Sequence, residues 1–255
     1  MKISGYKGLF FPTLISYIVL CFLLAGNQWE GKTVFEFYCG IFGGIRAGIL
    51  SDNLMKLMQW LLSFLPLLVF LGMQISEELS GRLYITVIRS KSIRRWWNSW
   101  VRFSLLLAGS FSLAVFLASF LTGVILGEGA WLGSEVGMLF QVFCVNAIYN
   151  CTLSVVLVSL GLWLRNLKWS MVVILAIVMT SYVLGKFFPA MTPFLVGTYS
   201  MANRLRICDN CYGVDGWIAV TILLLLAGIA YFVGIIGAKK VLYRMNDLGE
   251  SDDFS

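Results

Sequence analysis

The chain has 255 residues, of which 59% are hydrophobic and only 13% charged, with a mean hydropathy of +0.86. Soluble domains carry about 45–50% apolar and about 25% charged residues, so this composition excludes a soluble globular enzyme, a disordered tail and a disulfide-stapled secreted module. The net charge of +6 is scattered between apolar runs, which argues against a nucleic-acid surface, and the absence of histidine excludes His-based metal sites and His general bases.

In chain order, six apolar segments reach spanning length, at 9–25, 56–74, 103–127, 137–163, 169–187 and 215–238. In a bilayer only a helix satisfies its own backbone over such a run. The expected fold is therefore all-α: one transmembrane domain over 1–255, with six membrane helices. Leu9 to Ala25 follows Lys2 and Lys7 but lacks a small-x-small cleavage site, so it reads as span 1 rather than a signal peptide. Pro12 falls in a first turn, where proline is tolerated, whereas Pro66 lies inside span 2 and is expected to kink it.

Charge orients the bundle. With both termini in the cytoplasm, 13 of the 19 Lys and Arg residues lie inside, and the outer ones fall mostly in the two longest loops. This describes a multi-pass protein of the plasma membrane. Trp96, Trp97 and Trp100 before span 3, Trp163 and Trp169 around the inner turn, and Trp131 and Trp217 near outer ends read as interface anchors. Residues 26–55 form an outer loop with Gly40, Gly44 and Gly48 at four-residue spacing, which fits either a small-residue helix face or loop glycines. Residues 188–214 form a second outer segment, and the tail after Val241 is acidic.

Two motifs are decoys. Gly26 to Thr33 matches the nucleotide-binding pattern G-x-x-x-x-G-K-[ST], but it follows a membrane helix on the outer side, without the strand and soluble α/β domain that such a loop needs. Glu77-Glu78-Leu-Ser-Gly-Arg82 resembles the first motif of the glutamate-type CAAX-processing proteases. That family completes its site with histidines, which this chain lacks. Cys208-Asp-Asn-Cys211 is a lone C-x-x-C, too small a set for a tetrahedral zinc site. On the outer side Cys208 and Cys211 are a possible disulfide, and Cys21, Cys144 and Cys151 lie in spans as small hydrophobes. The Asn150-Cys-Thr152 sequon is within span 4 and carries no glycan.

The interiors of spans 1, 3, 4, 5 and 6 hold no Asp, Glu, Lys or Arg. Gradient-driven transporters place such groups at mid-membrane depth, so energy for uphill transport would have to enter from another subunit. One cytoplasmic segment qualifies as the entry point. Between spans 2 and 3, Leu79, Leu83, Val87 and Ile88 recur at helical spacing among Glu77, Glu78, Arg82, Arg89, Lys91, Arg94 and Arg95. Such a short amphipathic helix can equally lie in the headgroups as an interfacial anchor.

The chain resembles the membrane subunit of a type-2 ATP-binding-cassette exporter. The resemblance rests on six spans with both ends inside, on Glu78 and Gly81 right after span 2, on the apolar stretch Leu83 to Ile88, and on Ser92 and Arg94 before span 3. The outer stretch Phe188 to Phe194, with Pro189 and Pro193, is similar to that family's extracellular re-entrant element, while Arg82 and Lys91 stand where the family often has Thr and Pro. The resemblance implies a coupling helix within 77–95, using Glu77, Glu78, Gly81, Arg82, Leu83, Val87, Arg89, Arg94 and Arg95. It also implies a separate cytoplasmic ATPase that binds ATP and magnesium, and a second permease copy, a homodimer being favoured. The chain itself would hold no cofactor or metal and would not be an enzyme.

Aromatic, uncharged spans suit an amphiphilic cargo better than an ion. An amphipathic or antimicrobial peptide is the favoured cargo. The alternatives are export of lipid or drug-like molecules, bacteriocin self-immunity by the same machinery, or a scaffold without transport. The orientation has a direct check: a single cysteine placed at Ser90 should resist impermeant thiol reagents in intact cells and react after permeabilisation. Labelling from outside would reverse the topology.

Overall fold

A computed structural model describes residues 33–44, 54–78, 92–126, 133–164, 166–208 and 211–251. Span 1 at 9–25, residues 26–32 of the nucleotide-like motif, and residues 79–91 lie outside the described residues. The described helices are α1 (Val34–Phe42), α2 (Leu54–Leu62), α3 (Leu65–Glu77), α4 (Ile93–Leu126), α5 (Gly133–Leu164), α6 (Leu167–Phe187) and α7 (Gly216–Ser251). Short 3-10 turns, Pro189–Phe194, Val196–Thr198, Ala202–Arg204 and Arg206–Cys208, connect α6 to α7. Among the described residues, β-structure is limited to one isolated bridge between Leu205 and Val214. Five helical stretches are long and apolar enough to cross a membrane: Lys56–Glu77, Ile93–Ile125, Glu135–Leu164, Lys168–Phe187 and Gly216–Lys240.

Helix α5 is the axis of the bundle. It packs against α7, α4, α6, α3 and α1. Over an apolar stretch of 18 residues 61% are buried in α5, against 22% in α7, which leaves one flank of α7 exposed and apolar. The α5–α7 contact is the closest in the fold and has a regular register. Thr152 Oγ1 donates to the Leu223 carbonyl at 3.2 Å and Ser159 Oγ to the Ala230 carbonyl at 2.7 Å, with both pairs separated by 71 residues. Constant separation makes the two helices parallel, and the seven-residue step is the repeat of left-handed helix pairs. Small residues let them approach. A Cβ on Gly234 would lie 2.1 Å from the Trp97 ring and 2.8 Å from Ser159 Oγ, and one on Gly237 would lie 2.9 Å from the Trp163 ring.

Span 2 is broken, as Pro66 led one to expect. α2 stops at Leu62, Ser63 and Phe64 form a turn, and Pro66 stands in the first turn of α3. The outer loop expected at 26–55 instead contains α1, whose Val34, Phe37, Tyr38 and Phe42 are buried in the main core. Nine residues make a helix about 14 Å long at about 1.5 Å per residue, too short to register as a span. Thr33, the last residue of the nucleotide-like motif, caps it. Thr33 Oγ1 accepts from the Glu36 amide, and a Glu36 carboxylate oxygen accepts from the Thr33 amide, both at 3.3 Å, a capping box. Gly44 has φ +59°, so the loop alternative holds there, while Gly40 is helical and Gly48 lies outside the described residues.

Three tryptophans correct the interface-anchor expectation. Helix α4 begins at Ile93, ten residues before the predicted span, so Trp96, Trp97 and Trp100 stand on its inward face at 5%, 0% and 4% exposure. They pack on protein, not at headgroups. Trp163, Trp169 and Trp217 are exposed, as anchors require. The Gly234 contact yields a test: Gly234→Leu should overpack the α4–α5–α7 junction and destabilise it by about 1–3 kcal/mol. Gly228, with open space around its Cβ position, should accept alanine without loss. Thermal unfolding of the two variants in detergent decides.

Candidate functional site

Three regions carry polar or exposed chemistry, and the first is the segment singled out by sequence. At the end of α3, Glu77 is exposed and Glu78 half-buried; Arg94 and Arg95 at the start of α4 are exposed. Gly81, Arg82, Leu83, Val87 and Arg89 lie outside the described residues. The two flanks of that stretch nevertheless meet. Ile75 from α3 and Trp96, Trp97, Trp100 and Val101 from α4 share one apolar cluster with Val155, Val158 and Leu162 of α5 and with Ala230 and Ala238 of α7. Trp96 and Trp100 pack edge to face at 6.5 Å, and the Tyr231 hydroxyl donates to Asn98 Oδ1 at 2.6 Å. Aromatic pairs of this kind add about 0.5–1.5 kcal/mol beyond burial. Residues 79–91 are thus entered and left through one rigid foundation.

The second region is a polar pocket at the midpoint of α5, which sequence reading missed. Asn146 and Asn150, one turn apart, are 5% and 3% exposed. Asn150 Nδ2 donates to Ser112 Oγ at 2.9 Å. Asn150 Oδ1 and both amide atoms of Asn146 complete no hydrogen bond, although the Tyr38 hydroxyl approaches Asn146. Ser63, at the break in span 2, lines the same pocket. The available signal was two asparagines at i and i+4 inside an apolar run, a pattern that places both on one helix face. Only the sequon drew attention to Asn150.

The third region is the connector between α6 and α7, which folds back into the bundle. Gly197 packs against Ser181 and Val178, where a Cβ would lie 3.1 Å from the Val178 Cα. Val178 lies nine residues before the end of α6, about 14 Å along its axis. There the Gly197 carbonyl accepts from the Tyr149 hydroxyl at 2.7 Å, and Trp60 Nε1 donates to Ser200 Oγ at 2.8 Å. The connector also grips the end of α1: the Gly43 carbonyl accepts from the Asn203 amide at 3.1 Å, and Asn203 Nδ2 donates to the Gly44 carbonyl at 3.2 Å. Arg204 is 1% exposed, and its Nη2 donates to the Tyr182 carbonyl at 3.4 Å. Burial pulls its guanidinium down to about 10, which leaves it charged at neutral pH.

Cys211 is a free, exposed thiol, and the side chain of Cys208, its possible disulfide partner, lies outside the described residues. Among the described residues no three His, Cys, Asp or Glu side chains converge on a point where they could hold a metal ion. No protein-family model, curated protein or solved structure matches the chain.

The Trp60–Ser200 bond ties span 2 to the connector, and its strength is measurable. Trp60→Phe and Ser200→Ala should each destabilise the protein, with a coupling of about 0.5–1.5 kcal/mol in the double-mutant cycle. Additive losses in thermal stability would show that the bond contributes nothing.

Proposed function

We propose that this chain is the membrane subunit of an ATP-binding-cassette exporter of the second type. Residues 79–91 with their flanks serve as the coupling element, and a separate cytoplasmic ATPase provides the energy. The observation that carries the reading is the shared foundation of that segment. Ile75 before it and Trp96, Trp97 and Trp100 after it pack into one cluster with α5 and α7. A push on the segment is therefore delivered to four membrane helices together, which is what rigid-body coupling demands. Beyond Arg102 in α4, and between the charged ends of the other four, the five membrane-length helices carry no Asp, Glu, Lys or Arg, which favours an external energy source. The re-entrant connector after α6 agrees with the outer element of that exporter class.

In this reading two permease copies, favoured as a homodimer, line the pathway in the plasma membrane with both termini cytoplasmic. The uncharged, aromatic helices suit an amphiphilic cargo, an amphipathic or antimicrobial peptide before a lipid. Leu83 and Val87 would seat in the ATPase cleft, where buried apolar anchors concentrate affinity, while Arg89, Arg94 and Arg95 at the rim steer association.

Leu83→Asp combined with Val87→Asp should abolish cargo-stimulated ATP hydrolysis while the permease still inserts and dimerises. Charge reversal at Arg94 and Arg95 should weaken association with the ATPase in a salt-dependent manner. Normal pull-down and normal hydrolysis by the double Asp variant would reduce the segment to an interfacial anchor. Failure of the wild-type chain to co-purify with any ATPase would favour a scaffold.

A further inference from the structure

We propose that the pocket at the midpoint of α5 binds one ordered water molecule, held between Asn146 and Asn150. The pocket's polar wall is incomplete without a small ligand. Asn146 Oδ1, Asn146 Nδ2 and Asn150 Oδ1 are buried without hydrogen-bond partners, while Asn150 Nδ2 is already committed to Ser112. Buried amide atoms left in this state are strongly disfavoured, and internal waters typically answer them with two to four hydrogen bonds. The cavity has the size for it, with room for about one water molecule.

The chemistry fits water better than an ion. The two free carbonyl oxygens accept the two protons of one water, and the Asn146 amide or the Tyr38 hydroxyl donates to its oxygen. Among the described residues no carboxylate lines the pocket, so a cation there would be buried without a counter-charge from them. Location adds a consequence. Ser63 lines the pocket, and its hydroxyl already donates to the Trp60 carbonyl at 2.6 Å. The water therefore sits at the break of span 2 and offers exchangeable hydrogen bonds where α2 and α3 part. This inference stands independently of the transport reading.

X-ray hydroxyl-radical labelling of the intact protein in detergent, in water enriched in oxygen-18, tests the site directly. Tyr38 and Tyr149 have the same ring chemistry and are 2% and 1% exposed, but only Tyr38 faces the pocket. Radicals formed from a bound water should label Tyr38 several-fold faster than Tyr149. Asn146→Leu together with Asn150→Leu should bring Tyr38 down to the Tyr149 rate. Equal rates in the wild-type protein, or Tyr38 labelling unchanged in the double variant, would overturn the proposal. A rise in melting temperature on replacing choline by sodium or potassium, lost in Asn146→Leu, would overturn it too, by assigning the pocket to a cation. The wild-type comparison decides even where the variant fails to fold.

Discussion

In a bilayer every backbone amide and carbonyl must find its partner inside the protein, and several ties between elements of this bundle form where a helix stops supplying one. At the Ser63–Phe64 break the chain tightens: the Ser63 and Phe64 amides donate to the Trp60 and Leu61 carbonyls, and the Ser63 hydroxyl adds a second bond to Trp60. At the end of α1 the carbonyls of Gly43 and Gly44 are taken by Asn203. In the connector, Gly197 is taken by Tyr149. Each interruption is repaired by a polar group from, or packed beside, another element. The end of α1 and the described part of the connector are thus fastened to other elements by these bonds.

The same constraint explains why α5 is central. A helix surrounded by protein need not turn all its side chains to lipid, so it can hold Asn146, Asn150, Thr152, Ser154 and Ser159 at low exposure. Thr152, Ser154 and Ser159 return their hydroxyls to backbone carbonyls, the first and third of them across to α7. These bonds demand close approach, and the small residues of α7 permit it. Helix α7 gives its other flank to the apolar surroundings: Leu224, Leu225, Ile229, Phe232 and Ile236 are exposed. The two faces of one helix thus follow different chemical rules.

Five of the six expected spanning segments were legible because burial of an apolar run in lipid is decided by composition alone, and the break at Pro66 because proline acts locally; the segment 9–25 lies outside the described residues. Features set by tertiary contact were not. Helix α1 is as apolar as a span but half its length, so hydropathy placed it in a loop. The indoles of Trp96, Trp97 and Trp100 carry the same sequence signal whether they face headgroups or α7. What decides is Gly234, more than a hundred residues away, which leaves room for the Trp97 ring. Asn146 and Asn150 form a pocket only because Tyr38 arrives from α1, Ser63 from the break in span 2 and Ser112 from α4. Of the residues proposed for coupling, Glu77 and Glu78 were expected just after span 2 and Arg94 and Arg95 in the inner segment before span 3, and the described structure exposes three of the four, with Glu78 half-buried.

The tryptophan cluster packs on the C-terminal part of α5 and the connector grips that helix at its midpoint, and this gives a transport reading its mechanical content. Interiors packed at crystal-like density transmit displacement instead of absorbing it. A load applied to the segment after Glu78 reaches α3, α4, α5 and α7 through Ile75, the indoles and the small residues of α7. At its midpoint α5 holds the connector through Tyr149, and span 2 holds it through Trp60. Between these two grips lies the break at Ser63, the one place where span 2 is not continuous helix. Rotation of α3 with the cluster can therefore leave α2 and the connector behind only by flexing at that turn. In the proposed reading, the coupling element and the connector would communicate through α5, with the turn at Ser63 and Phe64 as the point where span 2 could bend.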